Sequence, residues 1–184
     1  MLMQTEYISL GNSCAVAYQL QQLGVRRAAY PFDWVNCSKL SGIISLFENY
    51  DKLLEDPIFK CESVCYPIIE DNWKEEISST LKVYDPQFKI IFPHDFKDKA
   101  DITEIKLKYK RRFERLFRIM RDPSVHKVLI RISHITEDLS YLKHIFNNNN
   151  FVNYTIIFKS YEELGNSKDW KFSDYNWASI LDLA

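Results

Sequence analysis

The chain has 184 residues, a formal net charge of −1, and a composition that is 46% hydrophobic and 27% charged. Those proportions fit a globular domain with a substantial core, and the near-zero charge gives no general pull toward nucleic acid or an anionic membrane. No apolar run is long enough to cross a bilayer, and with only four glycines there is neither a P-loop nor a GxGxxG phosphate loop.

In chain order, Tyr7 to Leu10 reads as a short strand. Gly11-Asn12-Ser13 turns the chain and supplies cap residues for a helix from Cys14 to Leu23, with Val16, Ala17, Leu20 and Leu23 on its inner face. Gly24 ends that helix. An extended stretch, Arg27 to Tyr30, leads into Pro31-Phe32-Asp33-Trp34. Ser38 then caps a helix carrying Leu40, Ile43, Ile44 and Phe47 at helical spacing. Residues 51–88 show short aromatic pieces broken by prolines and no clear period.

Lys89 to Phe92 reads as a strand stopped by Pro93 and followed by His94-Asp95. The longest helix spans Ile102 to Arg121, its apolar face made by Ile105, Tyr109, Phe113, Leu116, Phe117 and Met120. A buried-type strand follows at Lys127 to Ile132, then a helix at Glu137 to Phe146, a loop at Asn147 to Asn150, a strand at Thr155 to Phe158 and a last helix within Asp174 to Leu183. Strands alternating with helices predict an α/β (or α+β) fold. The expectation is a single domain over residues 1–184, with a central, mainly parallel sheet flanked by helices.

The four cysteines are Cys14, Cys37, Cys61 and Cys65. Met1 to Tyr7 lacks the charged-then-apolar pattern of a signal peptide, so a reducing cytoplasmic setting is expected. Cys61 and Cys65 have the spacing of half a zinc site, but no second Cys/His pair completes it, and neither metal nor cofactor is expected. Cys14 stands out because it begins a helix. A helix N-terminus carries unpaired N–H groups and partial positive charge, which favour the thiolate and can steady an oxyanion.

A thiol nucleophile needs a base and a group to orient it. Of His94, His126, His134 and His144, both His94 and His134 follow buried-type strands directly, at the strand ends where ligands gather in open α/β sheets. If the strands at Ile8–Leu10, Ile90–Phe92 and Leu129–Ile132 are parallel neighbours, Cys14, His94 and His134 share one edge. His94 is the preferred base, with Asp95 and Asp33 as the two candidates to orient it; His134 reads as a surface or cap residue. The helix at 102–121 also bears Lys106, Lys108, Lys110, Arg111, Arg112, Arg115, Arg118 and Arg121. No aromatic platform interleaves with them, so a solvated helix is the preferred reading over a nucleic-acid surface.

Taken together, Ile8-Ser9-Leu10-Gly11-x-x-Cys14, Leu23-Gly24-Val25-Arg26, Tyr30-Pro31-Phe32-Asp33-Trp34, Phe92-Pro93-His94-Asp95, Tyr109 to Leu116 and Val128-Leu129-Ile130-Arg131 form one ordered signature. It resembles an uncharacterised family of papain-like cysteine peptidases found in bacteria and large DNA viruses, from about Tyr7 to Phe158. The resemblance implies Cys14 as nucleophile, His94 as base and Asp33 and Asp95 as acidic candidates. It also makes a host cytoplasm the setting for a viral member. The sequence departs from papain in one respect: no glutamine stands a few residues before Cys14. Ile8 and Leu10 occupy that stretch, and Gln4 lies farther off.

The reading is a thiol hydrolase acting on a peptide or other acyl substrate, with the Gly11-Asn12-Ser13 turn presenting backbone donors to the oxyanion. Two alternatives stand beside it. One is a non-catalytic Rossmann-like module holding a nucleotide or sugar phosphate at that turn. The other is an interaction protein on an inactivated enzyme fold.

Overall fold

In the computed structural model, residues 4–37, 39–55, 60–62, 82–85, 90–92, 102–134, 137–165, 167 and 169–181 are described. Strands β1 (Gln4–Ser9), β5 (Val125–Ser133) and β6 (Tyr154–Ser160) form a parallel sheet in the order β1-β5-β6. Ile8 pairs with Leu129, and Leu129 with Ile156. Strands β2 (Lys60–Glu62), β3 (Lys82–Asp85) and β4 (Ile90–Phe92) form a separate antiparallel sheet.

Side-chain alternation decides which helices cover each face of the parallel sheet. Tyr7, Val128, Ile130 and Ile132 point to one side, where they pack with Ala15, Val16 and Leu20 of α1 (Cys14–Gln22) and with Leu164, Phe172 and Trp177. The short α5 (Trp177–Ile180) closes that side. Ile8 and Leu129 point the other way, into a larger core with α2 (Leu40–Glu55), α3 (Ile102–Arg121) and α4 (Ser140–Asn148). The result is a three-layer α/β arrangement. Phe47 is central to the larger core, with ring centroids 5.0 Å from Phe146, 5.6 Å from Phe32 and 6.0 Å from Phe117.

The sequence periods place α3 at its observed bounds, and all six residues assigned to its apolar face are buried. In α1, Leu23 is the C-cap and 36% exposed rather than buried, because Gly24 adopts φ +70° and the chain leaves the helix there. The expected parallel arrangement holds for β1 and β5 and fails for β4. That three-residue strand instead pairs antiparallel with β3 and bridges Asn36 through Ile91. Ser38, expected to cap α2, lies outside the described residues. The Leu40 N–H donates to Glu137 Oε1 at 2.6 Å, a carboxylate 97 positions away.

Glu6 is 3% exposed and accepts the Tyr30 hydroxyl at 2.9 Å. Burial pushes its carboxyl above the ordinary range, while the Tyr30 bond and the charges of Arg27 and Arg115 pull it part of the way back. A folded-state value above the unfolded one means that the folded protein holds the proton more tightly. The associated stability is then fully present below the unfolded value, about 4.5, and is lost as pH rises through the folded value. In urea titrations, Glu6→Gln is expected to compare best with wild type at pH 7 and worst at pH 4. Parallel stability–pH curves for the two proteins would refute this.

Candidate functional site

Because β1, β5 and β6 are parallel, their C-terminal ends emerge together at Ser9, Ser133 and Ser160. Leu10 to Cys14, His134 and Tyr161 therefore leave the sheet along one edge, the usual ligand edge of an open α/β sheet. The Leu10 N–H donates to Ile130 O at 2.8 Å and the Tyr161 N–H to Ser133 O at 3.0 Å, so both exits are fixed to β5.

The turn before Cys14 is built from two consecutive left-handed residues, Gly11 (φ +73°) and Asn12 (φ +72°). Glycine takes that conformation without steric cost, and asparagine tolerates it better than most residues. The Gly11 N–H donates to Ser9 Oγ at 3.2 Å, and buried Asn12 donates from Nδ2 to Ile132 O at 2.7 Å. Ser13 then takes an extended conformation (φ −145°, ψ 145°) and caps α1, its Oγ accepting the Ala15 N–H at 3.1 Å. Cys14 is the first residue of α1 and is partly exposed. The turn residues read from the sequence thus do what their types suggest: they stop the strand, reverse the chain and start a helix at the thiol.

Asp33 is 2% exposed. Its Oδ2 accepts from Arg26 Nη2 at 2.6 Å, Arg26 Nε at 3.1 Å and the Tyr30 N–H at 2.9 Å. Burial pushes its carboxyl up, and the Arg26 charge and the Tyr30 N–H draw it part of the way back. Asp33 therefore joins the segment after α1 to the Tyr30–Trp34 turn. His94 and Asp95 lie outside the described residues. Cys37 is fully buried, and burial raises its thiol to about 11. Cys61 lies in β2, and Cys65 is outside the described residues. Among the described residues, no group of three or more His, Cys, Asp or Glu side chains could hold a metal ion.

Two features at this edge go beyond the sequence reading. The first is Arg131, with a fully buried side chain. Its Nε donates to Glu137 Oε2 and its Nη2 to Glu137 Oε1 at 2.7 Å. Nη1 reaches Leu10 O at 3.2 Å and Nη2 reaches Cys37 O at 3.3 Å. One guanidinium thus ties the end of β1, the loop before α2 and the chain after β5 together behind the Cys14 turn. An arginine inside an apolar strand, with a glutamate six residues on, is a readable sign of such a pair.

The second feature is Tyr161. Its ring stacks on His134 (3.8 Å between centroids, 8° between planes) and packs on Phe172 at 5.1 Å. Burial pushes its phenol above the ordinary range; Ser13 and the Arg131 charge oppose this, and the Cys14 charge adds to it. His134 is exposed, as its sequence reading suggests, but it is also part of the Cys14 edge.

Among the described residues, no helix is long and apolar enough to cross a membrane. An uncharacterized protein of Acanthamoeba polyphaga mimivirus, R408, is 34% identical over 123 residues, which cover 61% of this chain and 55% of the viral protein. The chain thus spans about half the length of that relative. No solved structure matches. A family model described as "Putative papain-like cysteine peptidase" matches residues 5–163, and the chain belongs to that family.

Proposed function

We propose that the protein is a thiol hydrolase, a cysteine peptidase or a related amide or thioester hydrolase, acting on a peptide or other acyl group in the reducing cytoplasm. Cys14 attacks the carbonyl, His94 takes and returns the proton, and Asp95 or Asp33 holds the imidazole. Asp33 already accepts from Arg26 and the Tyr30 backbone, which favours Asp95 for the orienting role.

The observation that carries this reading is the placement of Cys14. It opens α1 at the C-terminal edge of a parallel sheet, behind a turn of two left-handed residues, in a chain of a papain-like family. The helix N-terminus favours the thiolate and supplies backbone N–H groups for an oxyanion. The anion-binding alternative draws on those same donors, and Ser13 already occupies one of them at Ala15.

The test is the pH dependence of iodoacetamide labelling, resolved by cysteine. Cys14 is expected to react at least ~10-fold faster near neutral pH than Cys37, whose thiol value near 11 keeps it protonated. It should also outpace Cys61 and Cys65. His94→Ala is expected to shift the Cys14 titration upward. Labelling of Cys14 no faster than the other three would end the proposal. A fast Cys14 that ignores His94 would remove His94 as the base.

A further inference from the structure

We infer that Tyr18, Trp170 and Lys171 form a subsite that selects the acyl group delivered to Cys14, taking an aromatic side chain and turning away a basic one. The inference rests on the Cys14 reading above and deepens it to a substrate class.

Tyr18 stands four residues after Cys14 in α1, so the two share one face of the helix a single turn apart. The Cα–Cβ bond of a helical residue tilts toward the N-terminus, so Tyr18 leaves α1 on the Cys14 side. Trp170 meets the Tyr18 ring edge-on, with centroids 5.5 Å apart and 62° between planes. The Lys171 ammonium lies 5.3 Å from the Tyr18 centroid and 5.7 Å from that of Trp170. The side chain beside the carbonyl that Cys14 attacks is the part of a substrate within this reach.

The segment carrying Trp170 and Lys171 is held firmly. Phe172 has φ +52° and is 6% exposed. A bulky residue takes that left-handed conformation only where its surroundings enforce it. Here the Phe172 ring packs at 5.1 Å on Tyr161, which leaves β6 at the Cys14 edge. Its carbonyl accepts the Trp177 indole N–H at 2.9 Å. Buried Gln19 donates from Nε2 to Lys171 O at 2.7 Å. Asp169 accepts the Lys171 N–H at 3.1 Å and the Ser173 hydroxyl at 2.6 Å. Despite these ties, Trp170 is 47% exposed. A large apolar ring fixed in place yet open to solvent is a recognition surface organised before its ligand arrives.

Charge decides the occupant. An indole face attracts either a cation or another ring. Lys171 already brings a cation to it, and among the described residues that ammonium is in no ion pair. A substrate lysine or arginine would meet a like charge there. An aromatic ring gains the Trp170 contact without that repulsion.

The experiment measures 4-nitrophenolate release from the 4-nitrophenyl esters of N-acetylphenylalanine, N-acetylalanine and Nα-acetyllysine, with the rate of Cys14→Ser subtracted. The Cys14 thiolate adds to each carbonyl carbon, the ester C–O bond breaks, and 4-nitrophenolate leaves behind S-acyl-Cys14. Dividing by the rates with free N-acetylcysteine removes the intrinsic reactivity of each ester. Wild type is expected to favour the phenylalanyl over the alanyl ester by about 5–10-fold, the size of a good aromatic contact, and to take the lysyl ester no faster than the alanyl. Trp170→Ala is expected to abolish the phenylalanyl preference, and Trp170→Phe, which keeps a ring, to retain most of it. Lys171→Met is expected to speed the lysyl ester relative to the alanyl. Cys14 alkylation by iodoacetamide at the wild-type rate shows that α1 begins correctly in each variant. A wild type without the phenylalanyl preference, or a preference that survives Trp170→Ala, overturns the subsite and leaves the thiol reading intact. A lysyl ester taken as well as the phenylalanyl one also overturns it. Slow Cys14 alkylation in wild type overturns the thiol reading and the subsite with it.

Discussion

Arg131→Met is expected to cost about 3–5 kcal/mol, the range for removing one partner of a buried ion pair. The substitution roughly preserves length and apolar volume, so the loss is electrostatic rather than a cavity. Glu137, with a side chain 6% exposed, would be left with only the Leu40 N–H as its described donor. Leu10 O and Cys37 O would lose the guanidinium as well. Urea titration should show a lower midpoint with an unchanged slope, the mark of lost stability without a changed unfolded state. Arg131→Met combined with Glu137→Leu should recover part of the loss, since the stranded carboxylate is gone. A single-variant cost below about 1 kcal/mol would show that the pair is hydrated and that the two carbonyls do not depend on it. Cys14 alkylation should slow in the single variant, because Leu10 is the residue from which the Gly11–Asn12 turn departs.

What was legible in the sequence follows from how local each determinant is. The apolar period of α3 is written in twenty consecutive residues, and its bounds and buried face are as expected. The turn before Cys14 is equally local: a glycine, an asparagine and a serine each supply what their side chains are known for. The two-residue period of β1 and β5 gives the two faces of the sheet, and hence the three layers. Strand order is not local. β4 offers only Ile90, Ile91 and Phe92, too few residues to carry a parallel or antiparallel signature, and its antiparallel partners are β3 and Asn36. The argument that sheet adjacency would bring His94 to Cys14 therefore loses that support. His134 and Tyr161 reach the Cys14 edge by the parallel register of β5 with β1 and β6. The bond from the Leu40 N–H at the start of α2 to Glu137 was hidden for the same reason: the carboxylate comes from 97 residues away. Tyr161 carried no motif at all; its place became visible only once three strand ends were set side by side.

Asp33→Ala is expected to destabilise the protein by about 2–4 kcal/mol, because it strands donors from two residues at once. The Tyr30 N–H, in a residue 2% exposed, loses its acceptor, and Arg26 loses both of its bonds. Arg26 is 17% exposed on its side chain and lies over the Trp34 ring at 5.9 Å, so water can rehydrate part of its charge. That access keeps the expected cost at the lower end for a buried pair. Asp33→Asn retains an acceptor oxygen for Tyr30 or Arg26 and should cost less than half as much. These two variants also separate the two roles open to Asp33. If the carboxylate only holds the turn, Asp33→Asn leaves the Cys14 alkylation pH profile where wild type has it. If it orients His94, Asp33→Asn shifts that profile upward even though the fold survives, because a neutral amide stabilises an imidazolium less than a carboxylate does. The geometry favours the first outcome, since three donors already converge on one oxygen of Asp33. An upward shift in Asp33→Asn matching that of His94→Ala would assign Asp33, and not Asp95, as the orienting acid.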